Sequence, residues 1–147
     1  MDKIKLKQFL IAEEKILLEE ARKDLQDYRV ENSLDHDTVK DLDDLAQNDA
    51  SSYFGHDLEA RVSGHMDTIQ HLEEINFAPT DTVKPGSIVK INGKRLVIAS
   101  PKRPFQFEGE TIEAISPSAP IFKEMLGKKA GDSYNFHGET FQIEEVH

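Results

Sequence analysis

Residues 3 to about 30 hold neither glycine nor proline and are rich in Leu, Glu, Lys and Ala. Such residues enter a helix at little cost, so this run confines the start of the chain to one long α-helix. Leu6, Leu10, Leu17, Ala21, Leu25 and Tyr28 recur at spacings of 3, 4 or 7. They form an apolar stripe that needs a partner surface. A second helical run, from about Asp41 to Ile75, supplies one with Leu58, Val62, Met66, Ile69, Leu72 and Ile75. Gly55 and Gly64 weaken it locally. Between the two runs lies Asp35 to Asp49, where six aspartates (Asp35, Asp37, Asp41, Asp43, Asp44, Asp49) face a single Lys40. Aspartate favours caps and turns. The expected object is an antiparallel coiled-coil hairpin with a cluster of carboxylates at its tip. An arm of about 28 residues is roughly 40 Å long.

Charge follows the same division. The formal net charge is −10. Residues 1–78 hold 19 Asp/Glu and 9 Lys/Arg, whereas residues 79–147 hold 9 of each. An acidic first half disfavours direct binding to naked nucleic acid, which needs a basic surface. It suits a partner with a basic groove or a metal-containing site. With no cysteine there is no disulfide framework and no thiolate chemistry. No run of 18 apolar residues spans a membrane, and Met1-Asp2-Lys3-Ile4-Lys5 lacks the apolar core of a signal peptide. A monomer in a reducing cytoplasm, with no membrane partner, is expected.

Ala78-Pro79-Thr80-Asp81 reads as a linker. Domains are therefore expected at 1–78 and 79–147. In the second, Ser87–Ile91 and Arg95–Ala99 flank Asn92-Gly93-Lys94, an Asn-Gly hairpin turn. Pro104–Phe107 and Thr111–Ile115 flank Gly109, and Tyr134–Phe136 and Phe141–Val146 flank His137-Gly138. Pro117 to Leu126 reads as a short helix stopped by Gly127. The fold class is α+β: a helical hairpin, then a small antiparallel β-sheet domain with one short helix. By alternation, Phe105, Phe107, Phe136 and Phe141 belong to the sheet core.

Three pieces of the second half occur in a telling order: Val83-Lys84-Pro85-Gly86-Ser87-Ile88-Val89, then Ile115-Ser116-Pro117-Ser118-Ala119-Pro120, then Leu126-Gly127-Lys128-Lys129-Ala130-Gly131-Asp132. Together they resemble the C-terminal domain of the bacterial Gre transcript cleavage factors, an FKBP-like fold. The hairpin ahead of them resembles the Gre coiled coil, so the likeness covers essentially the whole chain.

The resemblance implies a partner and a mode of action. Gre factors bind RNA polymerase at the rim of its secondary channel. Their coiled coil places an acidic tip beside the catalytic magnesium, and two tip acids help hold a second ion while the polymerase hydrolyses its backtracked RNA. Nascent RNA is then met only indirectly, and Mg2+ is shared with the polymerase rather than bound by the factor alone. No enzymatic activity of its own is expected. Carboxylate oxygens are natural magnesium ligands, and paired metals stabilise attacking and leaving oxygens.

The family tip motif, Asp-Leu-x-Glu-Asn, falls here on Asp44-Leu45-Ala46-Gln47-Asn48. Asp44 takes the first acidic position. Gln47 stands where the second acid belongs, and an amide is a much weaker magnesium ligand. Asp43, Asp49 and Asp41 complete the acidic set, with Asp44 and Asp49 as the metal candidates. Gre homologues with rearranged tips occupy the channel and modulate transcription without cleavage, and Gln47 tilts this chain towards that behaviour. Pro120 matches the proline of the family's Ser-Pro element, with Ala119 in place of the serine. Pro120, Ile121 and Phe122 are the candidate polymerase contacts, while Ile121 and Met125 also suit the buried face of a short helix.

Other classes remain open at this level. The FKBP likeness admits a peptidyl-prolyl isomerase, although the half has no tryptophan and fold likeness does not establish activity. A coiled-coil adaptor is the third reading. The six histidines make no HExxH spacing, and GxSxG, P-loop and GxGxxG motifs are missing from the sequence.

Overall fold

The computed structural model describes the backbone of residues 1–34 and 42–147, and the side chains of residues 1–31 and 53–147. Helix α1 runs Lys3–Leu34 and α2 runs Leu42–Glu74. Asp2 starts α1, its Oδ1 accepting from the amides of Ile4 and Lys5 at 3.1 Å each, as an N-cap does. Seven strands and a short helix follow: β1 (Ile88–Ile91), β2 (Lys94–Ile98), β3 (Lys102–Phe107), β4 (Glu110–Ile115), α3 (Pro120–Met125), β5 (Ser133–Phe136), β6 (Glu139–Gln142) and β7 (Glu145–Val146). Among the described residues no helix is long and apolar enough to cross a membrane. The chain divides into two compact units, one of Met1–Leu10 with His71–His147, the other Ile11–Gln70.

The unit Ile11–Gln70 is an antiparallel helix pair. Leu18, Ala21 and Leu25 of α1 and Leu58 of α2 are buried, with Val62 and Ile69 half-buried. Tyr28 lies on Gly55, where a Cβ would come within 2.7 Å of Tyr28 Cε1, and meets Phe54 edge-on at 5.6 Å. Two stripe positions differ from the sequence expectation. Leu17 is exposed and Leu18 takes its place. Met66 is exposed, and His65 occupies the seam opposite Glu14. The reason is spacing. Leu18 stands four residues after Glu14 and three before Ala21, so a layer built on Glu14 and His65 carries the seam through Leu18.

In the other unit, five strands form one sheet in the order β3-β4-β2-β1-β7, and β5 pairs with β6. The pairing is antiparallel throughout except for β2 with β4, which run parallel. Asn92 and Gly93 both have positive φ, 51° and 75°, the geometry of a type I′ hairpin turn. Glu108-Gly109 and His137-Gly138 repeat it. The segment expected as one strand over Phe141–Val146 is two. β6 stays with β5, while Ile143 crosses the core and β7 moves to β1. Ile143 is fully buried, its amide donating to Asp132 O at 2.9 Å and its carbonyl accepting from Gly131 N at 2.8 Å.

One sheet face packs Val89, Ile91, Leu96 and Ile98 against Phe122 and Met125 of α3, with Val83, Tyr134 and Ile143. Phe136 and Phe141 lie at the margin of this cluster, partly buried. Phe105 and Phe107 are also only half-buried. They take their contacts from α1, where Phe9 stacks on Phe105 at 5.5 Å and meets Phe107 at 5.4 Å. β3 is an outer strand of its sheet, and Lys102, Arg103, Pro104 and a register shift before Phe105 suit it to that exposed edge. Within this unit, two lysines of α1 bond to backbone carbonyls at the end of α2 and beyond it. Lys7 Nζ donates to the carbonyls of Glu73 and Ile75 at 2.8 Å each, closing the end of α2. Lys3, buried, donates to Ala78 O and His147 O at 2.9 Å each. Gly86 is fixed by close approach: at φ 88° its Cβ position lies 2.1 Å from Asn76 O.

Candidate functional site

Asp41 lies outside the described residues. Asp43, Asp44 and Asp49 sit on the helical backbone of α2, with their side chains outside the described set. Helix begins at Leu42, so the family-like run Asp44 to Asn48 is helical rather than part of a loop. The charge distribution is sharper than a division by sequence halves indicates. Ile11–Gln70 carries 16 Asp/Glu and 6 Lys/Arg, a net of −10, and the other unit carries 12 of each.

Around α3 the three candidate contacts separate. Ala119 precedes the helix in extended geometry (φ −64°, ψ 137°) and offers no side-chain cap, where a serine would supply one. Pro120 is the first helical residue and is exposed, as suits a residue with no amide to satisfy. Ile121 is partly buried against the core, and Met125 is wholly buried. Phe122 is 4% exposed and belongs to the core, so its ring is not available to a partner. A further exposed residue, Leu126, was not signalled in the sequence. An apolar residue closing a short helix reads as core, yet Leu126 is 55% exposed. The chain turns at Gly127 (φ 78°), whose amide donates to Val83 O at 2.8 Å. The exposed apolar positions at the two ends of α3 are therefore Pro120 and Leu126.

The Leu126–Asp132 motif proves architectural. Val83 N donates to Lys128 O at 2.8 Å, and Thr82 bridges to Lys129. Asp132 Oδ2 accepts from Lys129 N at 2.8 Å and closes the turn. These bonds tie the segment before β1 to the segment after α3.

A groove of about 630 Å3 opens beside β1, β2 and β4, lined in part by Lys90, Lys94, Arg95, Glu110 and Glu113. Its charges are largely engaged with one another. Arg95 pairs with Glu110 and, at 3.5 Å, with Glu145, and Lys90 reaches Glu145 at 3.6 Å. The His147 hydrogen bond, then Lys90 and Arg95, hold the Glu145 carboxyl below its ordinary range, against an opposing push from burial. Among the described residues no group of three or more His, Cys, Asp or Glu is placed to hold a metal ion.

No family model matches the chain, and no curated protein matches it. Solved structures similar to it include Thermus aquaticus Gfh1, at 22% identity over 92% of both chains with a TM-score of 0.35. Another is GreA factor homolog 1 (Gfh1) of Thermus thermophilus, at 20% identity over 97% of this chain and 93% of that one, with a TM-score of 0.34. A third, described as the transcription factor Gfh1, is 22% identical over 97% of this chain and 92% of that one, with a TM-score of 0.33.

Proposed function

We propose that this protein is a transcription elongation factor of the Gre kind, which binds a bacterial RNA polymerase and inserts its acidic hairpin into the secondary channel. The observation that carries the reading is that the whole net charge resides on one helical hairpin, while the neutral sheet unit carries the Gre-like motifs in order. A net charge of −10 on a narrow helical arm favours a basic groove. Pro120, with Ile121 beside it and Leu126 beyond, is the contact at the channel rim.

Within this reading the hairpin modulates elongation and does not stimulate cleavage. The tip backbone is helical from Leu42. The family's two acidic positions fall by sequence on Asp44 and Gln47, one carboxylate and one amide. Asp49 comes five residues after Asp44, about 140° round the helix. Gln47 puts an amide, a much weaker magnesium ligand than a carboxylate, where the family's second acid stands, so no cleavage step is assigned.

The test uses a halted, backtracked cognate polymerase. The expected result is binding and slowed elongation, without short 3′ RNA fragments. Gln47→Glu supplies the second carboxylate and raises fragment release on the order of a hundredfold, since several kcal/mol of transition-state stabilisation pass through a metal so held. Fragment release by the parent protein, lost in Asp44→Ala, would reassign it as a cleavage factor. Failure to bind the polymerase would overturn the whole reading.

A further inference from the structure

Two apolar stripes compete along the hairpin. The fully apolar one runs through Leu17 on α1 and Met66 on α2. The structure uses the other, which shares Leu6, Leu10, Ala21 and Leu25 and, on α2, Leu58, Val62, Ile69 and Leu72, but passes through Glu14, Leu18 and His65. Leu17 is left 41% exposed and Met66 50% exposed. Adjacent residues point about 100° apart on a helix, so the choice is one of local rotation. Hydrophobic burial alone favours the apolar stripe. The side chains that hold the other are 18% (Glu14) and 27% (His65) exposed, with His65 Nδ1–H donating to Glu14 Oε1 at 2.6 Å. Rolling Met66 inward would turn His65 out and leave Glu14 half-buried without that donor, a larger loss than one exposed methionine.

We infer that the Glu14–His65 pair sets the rotational phase of the middle of the hairpin. Its work is specificity rather than stability, the best-attested use of a polar pair in a helical seam. The pair positions the arm: beyond it, Tyr28 on Gly55 sustains the same phase. The consequence for a channel-inserted tip rests on the function proposed above. The phase itself does not.

The chain has no cysteine, so single introduced cysteines report the phase cleanly through their rate of reaction with a thiol reagent. In the parent background, Leu17→Cys and Met66→Cys react fast and Leu18→Cys slowly. In the Glu14→Lys/His65→Lys background, which breaks the pair and sets two cations in the seam, the first two slow by about tenfold, the scale set by local protection, and Leu18→Cys accelerates to match. The exchanged pair, Glu14→His/His65→Glu, restores the parent pattern. Unchanged rates in the double-lysine background, or loss of its helical circular dichroism, would overturn the inference, as would failure of the exchanged pair to restore the pattern. The polymerase is absent from this experiment, so failure of the functional proposal leaves its outcome unaffected.

Discussion

The hairpin Ile11–Gln70 and the sheet unit differ in where charge and burial lie. The hairpin has 16 acids against 6 bases, the sheet unit 12 against 12. The largest fully buried side chains among the described residues, including Phe77, Leu6, Ile88, Ile98, Ile112 and Met125, all belong to the sheet unit. The hairpin is held by one seam, with a polar layer in it. Self-repulsion is thus concentrated where apolar burial is thinnest. Stability should reside in the sheet unit, and the hairpin should respond chiefly to changes of shape in its seam.

The sharpest test of that contrast lies on α3. Phe122→Ala empties a packed site in the sheet core and is expected to cost about 3–5 kcal/mol, read as a lower urea midpoint. Pro120→Ala, two residues away and exposed, is expected to change stability by less than about 0.5 kcal/mol while weakening polymerase binding. Equal effects on stability would mean that α3 is not divided into a core side and a contact side.

That division was only partly legible in sequence. The hairpin, the X-Gly turns and the short helix followed from glycine positions and apolar spacing, because those signals are local. The parallel pairing of β2 with β4 did not, since nothing local separates it from a meander. Nor did the break between β6 and β7, where Ile143 alternates as a strand residue but is drawn into the core by bonds to Gly131 and Asp132. Leu17 and Met66 complete an apolar stripe by count alone, and a count cannot weigh a bond between Glu14 and His65 from opposite helices. Of the candidate contacts, Pro120 is exposed at the first position of α3. The burial of Phe122 and the exposure of Leu126 depend on which way a six-residue helix faces its sheet.

A second, smaller effect separates the units by pH. Burial, and then the charge of Lys84, lower the Lys3 pKa from 10.5 to about 8. A base with a lowered folded pKa penalises the fold while protonated. Between pH 8 and 10.5 the unfolded chain holds more protons, so stability rises with pH, by up to about 1.4 kcal/mol per unit. Tyr134 opposes this at the upper end. Burial raises its pKa above 10.0, so the unfolded chain ionises first and stability falls above about pH 10. The rise is therefore expected between pH 8 and 10, on the order of 1–2 kcal/mol in total. Lys3→Met should flatten it. It should also lower stability at all pH values, because the Ala78 and His147 carbonyls lose their donor. A rise that persists in Lys3→Met would place its source elsewhere.

The smallest expected effect belongs to the hairpin and compares two of its glycines. Alanine is about 1 kcal/mol better than glycine in a helix interior. At Gly64 an added Cβ meets nothing within 4 Å, so Gly64→Ala should stabilise by up to that amount. At Gly55 the same atom would lie 2.7 Å from Tyr28 Cε1, and overpacking typically costs about 1–3 kcal/mol. Gly55→Ala should therefore come out about 1 kcal/mol destabilising, with the opposite sign to Gly64→Ala. Amide exchange in α1 and α2 measures both. If both substitutions stabilise, Tyr28 yields without cost, and the seam is looser than its packing on Gly55 implies. The phase of the hairpin would then depend on the Glu14–His65 pair alone.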